Sequence, residues 1–116
     1  IDIARTLSET HRCVICVSGA VDYVKKKKKM IKVENGHPMM SKVTGLGCTA
    51  SALCGAFAAI EKSPVTAVVA AMAVMGIAGE LAARKAAGPG SLQMHFLDWL
   101  YLLDVIDISQ LLKIEG

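Results

Sequence analysis

The sequence predicts an α/β fold in which strands come first and helices last. Short β-branched runs, Cys13 to Ser18, Val21 to Val24 and Met30 to Val33, fall near the start of the chain. Stretches rich in Ala, Leu, Val and Met, long enough for helices, fill the remainder. A glycine-rich turn, Thr44-Gly45-Leu46-Gly47, separates the two. With 116 residues the chain is one domain, 1–116, and too short for two.

Residues 1–10 read as the end of a helix, with Ile3, Leu7 and Ala4 on one face. Cys13 to Ser18 is short and β-branched, which favours a buried, parallel strand, and Gly19 ends it. Val21 to Val24 and Met30 to Val33 then form a hairpin with Lys25 to Lys29 at its tip. Glu34 to Pro38 is a turn cluster. Cys48 to Ile60 has no proline and reads as a helix. Ser63-Pro64 supplies an N-cap and a first-turn proline for a long helix running to about Ala87. Gly88-Pro89-Gly90 stops it, and Ser91 caps a third helix over 92–103 with Leu92, Phe96, Trp99, Leu100 and Leu103 along one stripe. Ile108 to Ile114 adds a short helical piece. The fold is thus a short strand, a β-hairpin and three following helices.

Composition excludes several classes. At 53% hydrophobic and 20% charged, the chain has too much apolar mass for disorder. The net charge of +3 rests on Lys25 to Lys29 alone, and without that run the balance turns negative. No basic surface is spread along the chain, so nucleic acid is not an expected partner. The four cysteines follow no secretory leader, which points to free thiols in the cytoplasm. The first residue is Ile, not Met, as expected of a processed product or a piece of something longer. Val43 to Ile60 and Val65 to Gly79 are uncharged, but glycines open the first and Glu61-Lys62 separates the two. Helices packed in an α/β layer account for them better than membrane spans.

Thr44 to Ser51 is the sharpest chemical feature. A Gly-x-Gly turn opens directly into a helix, so unpaired amides and the positive end of the helix dipole face whatever lies before it. Glycines let a ligand approach the backbone closely. Together these suit a phosphate, with the Cys48 thiol at the mouth of the site. An ordinary glycine connection, with Cys48 as a small buried residue, is the competing account of the same residues.

Three segments decide between them. Gly-Ala-Val-Asp-Tyr-Val at 19–24, Asn-Gly-His-Pro-Met-Met-Ser-Lys-Val-Thr-Gly-Leu-Gly-Cys at 35–48, and Gly-Pro-Gly-Ser at 88–91 followed by His95-Phe96-Leu97-Asp98 resemble the hydroxyethylthiazole kinase family in order and spacing. The resemblance covers the C-terminal half of that family. It implies a ribokinase-like three-layer α/β/α fold and transfer of the γ-phosphoryl group of ATP to the alcohol of 4-methyl-5-(2-hydroxyethyl)thiazole, with Mg²⁺, in thiamin salvage. It implies that Gly45 contacts the thiazole, that Cys48 stands at the phosphoryl-transfer centre, and that Ser18 contacts the nucleotide. Gly47 and Thr49 would lend backbone amides to the anion hole. A homotrimer with sites between subunits is implied as well. The family's N-terminal half supplies residues that this chain lacks, so the chain alone is expected to be inactive and to leave apolar surface exposed. Two alternatives are a non-catalytic nucleotide- or phosphate-binding module and, further off, a helical membrane hairpin.

Departures from the family pattern concentrate at Lys25 to Lys29, where the family has a turn suited to positive φ. The run reads as a solvated, mobile loop, or as a source of phosphate attraction if the hairpin flanks the nucleotide. Cys13 and Cys16 have C-x-x-C spacing, but strand residues three apart point to opposite faces, so burial rather than metal or redox chemistry is expected. His37 stands at the pocket mouth or in a turn hydrogen bond, and Asp22 reads as a surface carboxylate.

Overall fold

The computed structural model describes residues 2–116. Helix α1 spans Asp2–His11 and leads into strand β1, Ile15–Val17. Strands β2, Asp22–Lys26, and β3, Lys29–Val33, form the hairpin. A 3-10 turn at Pro38–Lys42 precedes α2, Leu46–Ile60, α3, Pro64–Ala83, α4, Pro89–Leu102, and α5, Val105–Leu111. A last strand, β4, covers Ile114–Glu115. The α/β class is as expected. The sheet is four-stranded in the order β1-β2-β3-β4, and every pairing is antiparallel.

That pairing corrects the expectation of a parallel first strand. β1 is only Ile15–Val17, and its one strand neighbour among the described residues is β2. A hairpin-length connection leaves β2 no choice but to run back alongside β1. The far edge of β1 is unpaired within the described residues. Strand β4 is a second departure, since the sequence reads Ile108 to Ile114 as helical. It pairs Ile114 with Val33 and Glu115 with Lys32.

Helix α1 presents a different face to the sheet than its large residues suggest. Ala4 and Ser8 are buried, while Ile3 is 77% exposed and Leu7 is partly open at 41%. The Ser8 hydroxyl explains the choice. It donates to the Cys13 carbonyl at 2.6 Å and accepts the Lys27 amide at 2.9 Å, pinning the helix to the hairpin.

Only Lys27 and Lys28 form the hairpin turn, because Lys26 pairs with Lys29 across it. Lys25 lies within β2, opposite Ile15 and Met30, and is 8% exposed. Three of the five lysines therefore lie in strands, and the run is not a free loop. Lys27 takes φ 53°, a left-handed conformation that favours glycine. Lys27→Gly removes that strain, about 1–2 kcal/mol, and adds chain entropy to the unfolded state, about 0.5–1 kcal/mol. A net gain of about 0.5–1 kcal/mol in urea unfolding is expected.

The core is built on α3. Ser63 caps it, its hydroxyl accepting the Thr66 amide at 3.3 Å, and Pro64 opens the first turn. The helix ends at Ala83, short of Ala87. It is long and apolar enough to cross a membrane by length and composition, yet Ala67, Ala71, Ile77, Ala78 and Ala82 are fully covered by protein. One core cluster joins α3 to Leu92 and Phe96 of α4, with Trp99, Leu100 and Leu103 against it, as the stripe predicts. Another joins Val33, Met72 and Ala73 to Cys16 and Cys54. Ser91 does not cap α4 from outside. It sits inside the first turn, where its hydroxyl accepts the Ala87 and Gly88 amides.

Helix α2 is half-buried on one side only and has no fully buried residue, contrary to expectation. The accessible surface is 7123 Å², against roughly 6,100 Å² for a monomer of this mass. Tyr101, Val105 and Ile106 are among the large apolar residues left in the open.

Candidate functional site

Local chemistry fixes the corner where α2 begins. Gly45 is the N-cap at φ 91° and ψ 2°, a left-handed bend that a side chain disfavours. Its carbonyl accepts the Thr49 amide at 3.1 Å and the Thr49 hydroxyl at 3.2 Å. Thr49 thus has no amide to lend, which corrects its expected role. The amides ahead of it, on Leu46, Gly47 and Cys48, have no partner among the described residues, and no side chain caps them. A Cβ placed on Gly45 or Gly47 would meet nothing within 4 Å, so no neighbouring atom crowds the backbone at either glycine.

Leu46 and Gly47 form one wall of a cleft of about 550 Å³. Ser18, Gly19 and Asp22 line it from the turn between β1 and β2, and Met72, Met75 and Gly76 of α3 line its floor. Asn35, Gly36 and His37 close a further side. Ser18 and Gly47 therefore share one cavity. Gly45, Cys48 and Thr49 flank it without lining it, and Cys48 is exposed.

Asp22 is not the surface carboxylate its sequence context suggests. It is buried, and its Oδ1 accepts the Gly19 amide at 3.1 Å, which shapes the turn carrying Ser18. Burial lifts its carboxyl above the ordinary value, against the Gly19 amide, which pulls it down. Burial also pushes the Cys16 thiol up to about 11, with Asp22 and Cys54 adding to the effect. Cys54 is raised by burial and then by Asp22. Both thiols stay protonated at neutral pH and act as packing groups. Cys13 lies outside the strand and is exposed, so the C-x-x-C pair is not assembled. His37 does two things at once: it lines the cleft, and its Nδ1 accepts the Met39 amide at 3.1 Å.

Asn35 is the cleft residue that sequence reasoning missed. It is buried against Gly76, where a Cβ would come within 2.6 Å of it. Its only sequence signal was membership of an Asn-Gly turn.

The lysine tip sits at the wrong end of the sheet to serve this cleft. Lys25 is level with Ile15, and Ser18 lies three strand steps further along, about 10 Å away. Among the described residues no three His, Cys, Asp or Glu side chains are grouped to hold a metal ion. The cleft offers amides, hydroxyls and one buried carboxylate. It suits an anion on the α2 side, where the helix dipole and free amides converge.

A family model described as the hydroxyethylthiazole kinase family matches residues 1–105. The hydroxyethylthiazole kinase of Syntrophus aciditrophicus is 53% identical over 114 residues, which are 98% of this chain and 42% of that protein. That of Leptospira biflexa is 52% identical over 113 residues, 97% of this chain and 42% of its own. The structure of the hydroxyethylthiazole kinase from Pyrococcus horikoshii matches with a TM-score of 0.93 at 35% identity, over 98% of this chain and 44% of that one. The chain thus spans about two fifths of the length of the curated relatives it matches.

Proposed function

Because the chain belongs to the hydroxyethylthiazole kinase family, we propose that it forms the phosphoryl-accepting corner of a kinase that acts on the hydroxyl of 4-methyl-5-(2-hydroxyethyl)thiazole in thiamin salvage. The observation that carries this is the uncapped first turn of α2 opening into the cleft shared with Ser18. ATP supplies the phosphoryl group. The amides of Leu46, Gly47 and Cys48 hold negative charge as it moves, and they are fixed before it arrives, which is where electrostatic catalysis gains most. Gly45 sets their direction and meets the thiazole. The Ser18 hydroxyl, held on the turn that Asp22 braces, contacts the nucleotide. Mg²⁺ belongs to the proposed reaction, but the described residues offer no cluster of three His, Cys, Asp or Glu side chains to hold it.

Further polypeptide completes the site. The apolar residues open on α4 and α5 are where the rest of the kinase, or another copy in a homotrimer with sites between subunits, packs. On its own the chain binds phosphate without turnover. A cytoplasmic location agrees with four free thiols.

Cys48 stands at the third position of α2, beside the free amides, and takes the substrate hydroxyl's proton. A carboxylate does that work better than a thiol, so Cys48→Asp in the full-length protein is expected to retain or raise kcat. The check is ATP-dependent phosphorylation of the thiazole alcohol. Complete loss of turnover with substrate binding intact rules out the proton-accepting role. No turnover in a correctly assembled wild-type protein rules out the kinase.

A further inference from the structure

A second recess, of about 570 Å³, lies at the other end of β1, between the last turn of α1 and the tip of the hairpin. Arg12, Lys26, Lys27 and Lys28 line it against a single acid, Glu9. None of the four cations is ion-paired: among the described residues the one salt bridge joins Lys113 to Glu80. Lys26 also stands directly across the strand pair from Lys29, and like charges so placed repel. The carbonyl end of α1 favours one cation near it and accounts for Arg12. It does not account for three lysines carried by another element.

The backbone places these cations. Only two non-glycine residues among those described have positive φ, Arg12 at 52° and Lys27 at 53°, and both line this recess. Arg12 follows the last residue of α1, where the Cys13 amide donates back to the Ser8 carbonyl at 3.3 Å, and Lys27 lies in the hairpin turn, so each is a chain reversal that brings a cation to the recess. The buried Ser8 hydroxyl takes the Lys27 amide at 2.9 Å and gives to the Cys13 carbonyl at 2.6 Å, locking both walls at a fixed distance. The recess is thus framed by tied walls and carries four exposed cations against one acid.

We propose that this recess binds a small multivalent phosphate, with Arg12 and Lys28 on opposite walls as its charge partners. Arginine gives the forked contact that phosphate oxygens accept, and the lysines add mobile point charges. The recess holds no aromatic side chain to stack a base, so the phosphate itself is what it recognises. The inference is independent of the kinase cleft, which opens beyond the opposite end of β1.

The test uses the natural full-length protein with inorganic pyrophosphate as the probe, at constant ionic strength, and follows backbone amide resonances. The amides of Arg12, Cys13, Lys27 and Lys28 are expected to shift and saturate. Arg12→Ser and Lys28→Ser are each expected to weaken binding about tenfold, equivalent to 1.4 kcal/mol. Added salt weakens it further. ADP in a parallel arm separates the sources: equal binding shows that a nucleotide's phosphates are accepted, and pyrophosphate binding alone points to the free anion. Shifts that do not saturate, or that appear equally at Lys62 and Lys85, overturn the proposal. So does binding of a DNA duplex without binding of pyrophosphate. If a variant unfolds, the shift map of the unaltered protein decides.

Discussion

If the proposed kinase reading holds, Gly45→Ala in the full-length protein is expected to lower kcat/KM for phosphorylation of the thiazole alcohol about 100-fold, the loss that a misplacement near 1 Å brings to a positioned reaction. The stability cost is small by comparison, about 1–2 kcal/mol for one residue in the left-handed region. The two effects separate because of where Gly45 sits. A methyl group there meets no neighbouring atom, so the penalty is purely one of backbone conformation. Relief comes by rotating φ away from 91°, and that rotation swings the amides of Leu46, Gly47 and Cys48. Their direction is what the proposed chemistry depends on. Gly47→Ala is the comparison for stability alone, since Gly47 itself lines the cleft. It also meets open space, but it lies inside the helix with ordinary φ, so alanine is expected to stabilise the protein by about 0.5–1 kcal/mol. Kinetics of the full-length protein together with urea unfolding check the pair. An active Gly45→Ala protein with unchanged kcat/KM removes the amides from the mechanism.

The corner at Gly45 was legible because helix-start chemistry is local. A glycine that must bend, unpaired amides after it, and a cap with proline at Ser63-Pro64 are all written within a few residues. The stripe on α4 was legible for the same reason, since its period lies within one helix. What failed depended on distance. Lys25 to Lys29 looked like solvated loop because charge suggests water, yet Val24 paired with Ile31 and Asp22 with Val33 carry Lys25 into the sheet with them. The large residues of α1 suggested the wrong face because a single serine, bonded to a turn nineteen residues away, orients the helix. The parallel assignment of β1 failed because a short apolar run records burial and not the direction of its neighbour. Thr49 failed because the helix starts two residues earlier than read, at Leu46 and not at Cys48, which moves Thr49 from the free amides into the ladder.

The buried polar groups were the least legible, and Asn35 carries the most weight among them. Its Nδ2 donates to Glu80 at 2.8 Å and to the Leu111 carbonyl at 2.7 Å, and its Oδ1 accepts the Lys113 amide at 2.8 Å. One side chain thus ties β3, α3 and the chain's last segment together. The Glu34 amide continues the tie, donating to the Lys113 carbonyl at 2.8 Å, and β4 follows from it. The Lys113–Glu80 ion pair nearby is half open to solvent and adds little by comparison. Asn35→Ala leaves the Leu111 carbonyl and the Lys113 amide without their partner and strips Glu80 of a donor. The expected loss is about 3 kcal/mol, the summed cost of unmade buried hydrogen bonds. Asn35→Asp is expected to lose more, because it sets a carboxylate against Glu80 while removing the donor. Urea unfolding reads the loss, and hydrogen exchange locates it: the amides of Lys113 and Glu115 should exchange faster before the rest of the protein does. Because Asn35 also lines the cleft beside Gly36 and His37, both variants should weaken the proposed nucleotide or thiazole binding in proportion to that local opening. A variant that keeps full stability and a protected Lys113 amide shows that the last strand is held by something other than Asn35.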